Sequence, residues 1–159
     1  MSLKCLISGR WNALVAVIFA AMVSGTSYAF GIFSEILKDR LDFKQVDVAL
    51  IGSFGSTGLY MGVFCGIAIE YTGPKVLILI GGLFMFCGNF YMWLAVRKQA
   101  PYSLPMLCIA NYVAQLGVAC SSSSVTTVGI RLFPSSVTGQ VAGICKAYFG
   151  VSAAVLATV

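Results

Sequence analysis

Five apolar segments, each long enough to cross a lipid bilayer, occupy most of this chain and leave only short polar links between them. About 20 residues of helix span the hydrocarbon core of a bilayer. The segments run approximately over residues 11–33, 46–69, 76–96, 104–130 and 137–159. This pattern predicts an all-α, multi-pass transmembrane helical bundle of about five spans, which forms one domain over residues 1–159.

The composition argues against a water-soluble fold. Apolar residues make up 59% of the chain and charged residues 9%, whereas a soluble domain carries about 25% charged residues. The net charge of +5 comes from ten Lys and Arg against five Asp and Glu, which are scattered between the segments. They form no cluster of the kind that binds nucleic acid. We therefore predict an integral membrane protein whose partner is the lipid bilayer, and the charges point to no particular membrane.

The cysteines do not suggest a metal site. None of the six forms a CxxC pair, five lie within apolar segments, and the chain has no His. Zinc and iron sites draw on clustered Cys and His, so we predict no metal and no cofactor. We interpret the thiols as small apolar packing residues. No nucleophile has an evident base and no carboxylate pair lies deep in a segment, so an enzyme is not expected.

One cation interrupts the last apolar segment. Lys146 lies about ten residues beyond Ser136, or roughly 15 Å of helix, which predicts a position near the middle of the bilayer. A charge there costs at least roughly 2.5–3.5 kcal/mol on insertion scales, and such residues usually line an interior cavity or a solute path. Lys146 is therefore a candidate counter-charge for an anionic solute. The alternative is a Lys that snorkels toward the interface or bonds the backbone.

The fourth segment carries a polar stripe about 60° wide at roughly 100° per residue. Its members recur at spacings of four, seven and four: Asn111, Gln115, Ser122 and Thr126. A polar stripe on a spanning helix faces either a neighbouring helix, through interhelical hydrogen bonds, or a water-filled cavity. In the first segment, Tyr28 shares one face with two serines, and its hydroxyl either meets a solute or packs within the bundle.

Glycines line one face of the second segment. Gly58, Gly62 and Gly66 form two consecutive GxxxG units, and small residues at this spacing let two helices approach closely in lipid. The pattern predicts helix packing within the bundle. Two alternatives are a sliding interface between transporter halves and, if the chain ends at Val159, a surface for self-association.

The turn after the second segment reads Gly66-Ile-Ala-Ile-Glu70-Tyr-Thr-Gly73-Pro-Lys75. It resembles G-x-x-x-D-x-x-G-[RK]-[RK], the loop between the second and third helices of the major facilitator superfamily, with Glu70 in place of Asp and with Tyr71 and Pro74 in place of the usual Arg residues. In that superfamily the loop is cytoplasmic, and its acid-base pairs steady one conformation. The resemblance implies a gating role for Gly66, Glu70, Gly73 and Lys75. It also implies a cytoplasmic N-terminus, which the charges of the links leave open.

Two further stretches narrow the resemblance. Tyr28-Ala-Phe-Gly-Ile-Phe33 is similar to the Y-x-F-G pattern of monocarboxylate-transporter-like and nodulin-like members. Phe133-Pro-Ser-Ser-Val-Thr-Gly139, followed by Gly143-Ile-Cys-Lys146, resembles the F-P-x-x-R-G…G-I-x-K stretch of the nodulin-like branch, with Thr138 in place of Arg. The resemblance covers nearly the whole chain and implies part of a major facilitator N-terminal half, the first five of about twelve helices.

These observations predict secondary transport of a small solute by alternating access, and the lone cation favours an organic anion such as a monocarboxylate. Lys146 would bind the charge, and the polar side chains named above would shape the cavity. Five helices do not form a two-lobed cavity, so transport would need a C-terminal half or a homo-oligomer. The alternatives are a non-transporting membrane interaction or assembly protein and a truncated, non-functional fragment, because the apolar run reaches Val159 without a polar tail.

Overall fold

The computed structural model describes residues 3–25, 30–41, 43–99, 101 and 103–158. These residues are helical almost throughout and include no strand, which confirms the all-α fold class. The helices, in chain order, are α1 (Leu3–Ser24), α2 (Phe30–Leu41), α3 (Gln45–Tyr60), α4 (Gly62–Thr72), α5 (Pro74–Val96), α6 (Leu104–Leu132) and α7 (Thr138–Thr158). A short 3-10 helix, Ser135–Val137, precedes α7.

Three helical stretches within the described residues are long and apolar enough to cross a membrane: Gln45–Thr72, Pro74–Val96 and Leu104–Leu132. They correspond to the second, third and fourth predicted segments. The first predicted segment, 11–33, contains the end of α1 at Ser24 and the start of α2 at Phe30, and residues 26–29 lie outside the described ones. Asn12–Ser24 is a shorter apolar helix. The fifth predicted segment corresponds to α7.

Two residues shape the path of the second and third spans. Met61 separates α3 from α4 with φ −64° and ψ −5°, so the two helices follow each other with little interruption. Gly73 separates α4 from α5 with φ 81°, a conformation that side chains with a Cβ rarely adopt. Its N–H donates to the Ile69 carbonyl at 3.0 Å, and Pro74 then opens α5. This arrangement is the usual one, with Gly closing one helix and Pro starting the next.

Helix α6 is the centre of the bundle, and it packs against α1, α3, α4, α5 and α7. In its most apolar stretch 56% of the residues are buried, against 28% and 22% in the other two spans. The contact with α5 depends on glycine. A Cβ on Gly88 would lie 2.6 Å from the Ala110 carbonyl oxygen, and one on Gly117 would lie 2.5 Å from the Gly81 carbonyl oxygen. The two backbones therefore touch, which is how small residues hold helices together in lipid.

The predicted glycine face of the second segment is only partly a packing face. A Cβ on Gly58 would lie 2.5 Å from the Tyr112 carbonyl oxygen, and one on Gly62 would lie 3.1 Å from the Ala119 Cβ. Gly66 differs, since a Cβ there would meet nothing within 4 Å. Beside Gly66, α4 contacts α6 through Cys65. Gly66, the next residue along the helix, therefore lies on the exposed side of α4. Because α6 already covers Gly58 and Gly62, these two are not free for self-association.

The interpretation of the thiols as packing residues does not hold for one pair. Cys65 of α4 and Cys120 of α6 are joined by a disulfide, with their Cα atoms 5.2 Å apart. The separation falls within the range that a disulfide requires. Both residues are buried, beside Ile69 and Leu77. The two cysteines are 55 residues apart in sequence, and the packing of α4 on α6 brings them together. Cys87, Cys108 and Cys145 are free.

Candidate solute-binding site

Lys146 is an exposed residue of α7, whose opposite face packs into the bundle. Its neighbour Cys145 is buried with Val141 of the same helix, against Val17 of α1 and Val125 of α6. The Lys146 Nζ lies 5.6 Å from the centroid of the Phe149 ring, one helical turn further along. This distance suits a cation–π contact. Among the described residues, no carboxylate forms an ion pair with Lys146.

The packing of α7 on α6 gives the level of Lys146 along the bundle. A Cβ built on Gly129 of α6 would lie 3.4 Å from Val141 and 3.5 Å from the Cys145 sulfur, so these residues share a level. Gly129 lies within one turn of Leu132, where α6 ends. Lys146 is thus at the level of the last turns of α6.

Asn111 belongs to a contact between helices. The residue is 3% exposed, and its Nδ2 donates to the Ile51 carbonyl of α3 at 2.9 Å. Gly55 of α3 lies against the same amide, and a Cβ there would overlap it. Of the two roles that the sequence left open for this residue, the structure shows the interhelical hydrogen bond. The amide therefore ties α6 to α3 at a point where glycine lets it approach.

Gln115 lies one turn along α6 on the same side. A Cβ on Gly55 would lie 3.2 Å from its Cγ, so Gln115 also faces α3. Its Oε1 is buried and has no hydrogen-bond partner among the described residues. A buried acceptor without a donor carries a cost of roughly 1–3 kcal/mol. Among the described residues on this face, Gln115 is therefore the one with a buried polar atom that lacks a hydrogen-bond partner.

Ser122 and Thr126 are half-buried and bond their own helix. The Ser122 hydroxyl donates to the Ala119 carbonyl at 3.3 Å, and the Thr126 hydroxyl donates to the Ser122 carbonyl at 2.8 Å. Hydroxyls of spanning helices commonly bond back in this way. Neither side chain is fixed by a partner on another helix, so both hydroxyls can change acceptor without breaking a tertiary contact.

The predicted site residues do not form one cluster. Asn111 and Gln115 lie at Gly55, whereas Lys146 lies at the level of Gly129. Fourteen residues of helix separate Gln115 from Gly129, or about 20 Å at 1.5 Å per residue. A small solute cannot touch both places at once. Thr126, less than one turn from Gly129, is the member of the polar stripe at the level of Lys146. Tyr28 lies outside the described residues.

The predicted gating loop forms the turn between α4 and α5. Glu70 and Lys75 are both exposed, and no ion pair joins them in the part of the chain that the structure describes. Gly73 supplies the positive φ of the turn, and Gly66 lies in open space. The structure accounts for Gly73 by its conformation. Gly66, Glu70 and Lys75 are exposed, and among the described residues none of them forms a hydrogen bond or an ion pair with a second helix.

Phe149 is a residue that the sequence reasoning did not single out. It follows Lys146 by three residues, a spacing that puts two side chains on the same helical face. That spacing was a usable signal, because a Lys in an apolar segment needs a favourable contact and an aromatic ring supplies one. Within the described residues, no group of three His, Cys, Asp or Glu could hold a metal ion.

The comparison with known families agrees with this architecture. The family model for Nodulin-like proteins matches residues 10–159, nearly the whole chain. The chain belongs to the Nodulin-like family. The family match confirms the resemblance to the nodulin-like branch of the major facilitator superfamily, and with the apolar helices it supports an integral membrane protein.

Curated relatives of this Nodulin-like chain include named transporters. It is 29% identical over 129 residues to Protein NUCLEAR FUSION DEFECTIVE 4 of Arabidopsis thaliana, covering 80% of this chain and 22% of the relative. It is 26% identical over 155 residues to the Oxalate:formate antiporter of Oxalobacter formigenes, covering 91% and 34%. It is 25% identical over 124 residues to the protein called Probable transporter MCH1 of Wickerhamomyces anomalus, covering 75% and 24%. The chain thus spans between 22% and 34% of the length of these relatives. No solved structure matches it.

Proposed function

We propose that this chain takes part in secondary transport of a small organic anion by alternating access, with Lys146 as the counter-charge. The observation that carries the proposal is the exposed ammonium on α7, which has an aromatic neighbour and no carboxylate partner among the described residues. An ammonium left unpaired within an apolar segment is costly, and an anionic solute would supply the missing charge.

One of the relatives supports the same class of solute. The Oxalate:formate antiporter of Oxalobacter formigenes, which matches this chain over 91% of its length, carries the names of two small carboxylates. From that relative we carry over to this chain only the class of solute, which is a small carboxylate. The chain spans 34% of the length of that relative. The complete cavity would therefore include a further helical half or a second copy of the chain. In this arrangement the N-terminus is cytoplasmic.

Thr126 and Ser122 are the polar side chains of α6 that we assign to the anion site with Lys146. Their hydroxyls now donate to carbonyls of their own helix, which are also acceptors of the helical backbone bonds. A solute carboxylate can therefore take over either hydroxyl without leaving a buried group unsatisfied. Hydrogen bonds to an ionised group are about twice as strong as neutral ones, which favours the exchange.

Asn111 and Gln115 have a different role in this proposal. Gln115 lies about 20 Å and Asn111 about 27 Å along α6 from Gly129, which is at the level of Lys146, and both face α3. We assign Asn111 to holding α3 against α6. Gln115 stands beside it with a free acceptor oxygen, so it suits a second polar group further along a solute path and not the site of the charge. Tyr28 remains a proposed cavity residue, and the loop of Gly66, Glu70, Gly73 and Lys75 a proposed gate.

The experiment is uptake of radiolabelled formate and oxalate into proteoliposomes that contain the intact protein. We expect Lys146→Ala to lower uptake by at least about tenfold, since a hydrogen bond to a charged group contributes roughly 1.5–3 kcal/mol, while Lys146→Arg retains part of it. Lys44→Ala removes the same charge from an exposed link and serves as the matched control. Wild-type uptake in Lys146→Ala would overturn the proposal, and so would an equal loss in Lys44→Ala.

A further inference from the structure

A cavity with charges of both signs lies at the end of the bundle where α2 and α5 finish. Its volume is about 710 Å³, and its charged lining consists of Asp39 of α2 with Arg97 and Lys98, which follow α5. Ile36, Trp93 and Val96 form its apolar wall. The site lies apart from Lys146, because α5 ends where α6 begins, and Lys146 shares the level of the last turn of α6.

The two walls of this cavity are anchored. In α2, Leu37 is fully buried and Leu41 nearly so, and both pack with Met92 and Ala95 of α5. The stretch after α5 folds back on the helix, since the Lys98 N–H donates to the Ala95 carbonyl at 2.9 Å. The Arg97 guanidinium carbon lies 4.3 Å from the centroid of the Trp93 ring. The elements that carry the acidic and the basic groups are therefore fixed, while the side chains of Asp39, Arg97 and Lys98 are exposed.

The charges of this cavity are not paired with each other. Among the described residues, no ion pair joins Asp39 to Arg97 or to Lys98, although the three line one space. Lys98 has a φ of 57°, in the left-handed region that residues other than glycine rarely enter. The backbone turn that this conformation completes keeps both cations beside the cavity. An anion alone would satisfy the two cations and be repelled by Asp39, so the lining matches a ligand with both charges.

We propose that this cavity binds the headgroup of a zwitterionic phospholipid that carries a primary ammonium group, such as phosphatidylethanolamine. Arg97 and Lys98 would bind the phosphate, and Asp39 would accept hydrogen bonds from the ammonium. The acyl chains would follow Ile36 and Val96 toward the bilayer, with Trp93 at the interface, where this residue type is enriched. A quaternary ammonium is less suited, because it cannot donate to Asp39 and because Arg97 already occupies the Trp93 ring.

Native mass spectrometry of the intact protein in detergent tests this proposal with three added lipids, phosphatidylethanolamine, phosphatidylcholine and phosphatidylglycerol. We expect phosphatidylethanolamine to bind about tenfold more tightly than either of the others, as one hydrogen-bonded charge allows. Asp39→Asn should abolish its advantage over phosphatidylglycerol. Arg97→Gln combined with Lys98→Gln should weaken the binding of all three lipids, since each carries a phosphate. Lys44→Gln, which removes a charge from the α2–α3 link, should leave the preference unchanged.

Three results would overturn the proposal. Equal affinity for the three lipids would show that the cavity does not select a headgroup. A preference for phosphatidylethanolamine that persists in Asp39→Asn and in the Arg97 and Lys98 variant would place the lipid elsewhere. Free phosphoethanolamine that displaces the lipid at a similar concentration would make the ligand a soluble zwitterion, since acyl chains would then contribute nothing. These variants leave Lys146 intact, so the outcome is independent of anion uptake.

Discussion

The α5–α6 contact and the outer face of α7 both contain several glycines, and they differ in what surrounds them. At Gly88 and Gly117 a Cβ would come within 2.6 and 2.5 Å of a carbonyl oxygen of the facing helix. At Gly139, Gly143 and Gly150 a Cβ would meet nothing within 4 Å. The same residue type thus brings backbones together in one region and leaves an open surface in the other. The open surface is where the charged Lys146 lies.

This difference separates a packing role from a functional one. Helix α6 holds α3 and α5 through glycines and one buried amide. Helix α7 packs through Val141 and Cys145 and leaves its other side uncovered. We infer that substitutions in the first region act on folding, and that substitutions on the uncovered side of α7 act on transport.

The largest effect on folding is expected from Gly117→Leu. The new side chain would meet the Gly81 carbonyl oxygen and the Met85 amide nitrogen, which cannot move without separating α5 from α6. Overpacking costs about 1–3 kcal/mol where side chains can adjust, and more where backbone blocks them. We therefore expect little monodisperse protein in size-exclusion chromatography. Gly143→Leu is the matched control, and a comparable loss in that variant would break the distinction between the two regions.

A smaller and more graded effect is expected within the GxxxG face. Gly58→Ala places a methyl group 2.5 Å from the Tyr112 carbonyl oxygen, so a lowered melting temperature is expected. Gly66→Ala adds the same methyl group in open space. There the gain in helix propensity over glycine, about 0.5–1 kcal/mol, should keep or raise the melting temperature. Equal shifts in the two variants would show that Gly66 also packs.

The smallest effect is expected at Asn111. Asn111→Ala removes the bond to the Ile51 carbonyl, and interhelical hydrogen bonds in membrane proteins average about 0.6 kcal/mol. We expect a small fall in melting temperature and no change in the selectivity of uptake. Asn89→Ala is the control, because its amide bonds only the Met85 carbonyl of its own helix. A change of solute selectivity in Asn111→Ala would return this residue to the transport path.

The sequence was sufficient for features that depend on local chemistry. Apolar length gave three spans close to their observed positions, and the Gly-Pro pair at Gly73 marked the turn between α4 and α5. It was not sufficient for features that depend on how one helix sits on another. Gly81, Gly88 and Gly117 show no GxxxG spacing, and Cys65 lies 55 residues from Cys120. The level of Lys146 likewise follows from the packing of α7 on the last turn of α6, which counting along α7 does not reveal.

Charge rescue at position 146 tests whether the charge there binds the transported anion. The background is Cys5→Ser with Cys87→Ser, because Cys87 is the exposed free thiol among the described residues and the side chain of Cys5 lies outside them. In this background Lys146→Cys should lose uptake of a small carboxylate. Modification with 2-aminoethyl methanethiosulfonate, which restores an ammonium group at that position, should recover uptake, and modification with the neutral methyl reagent should not. Full uptake in the unmodified Lys146→Cys protein, or equal recovery with both reagents, would show that the charge does not bind the anion.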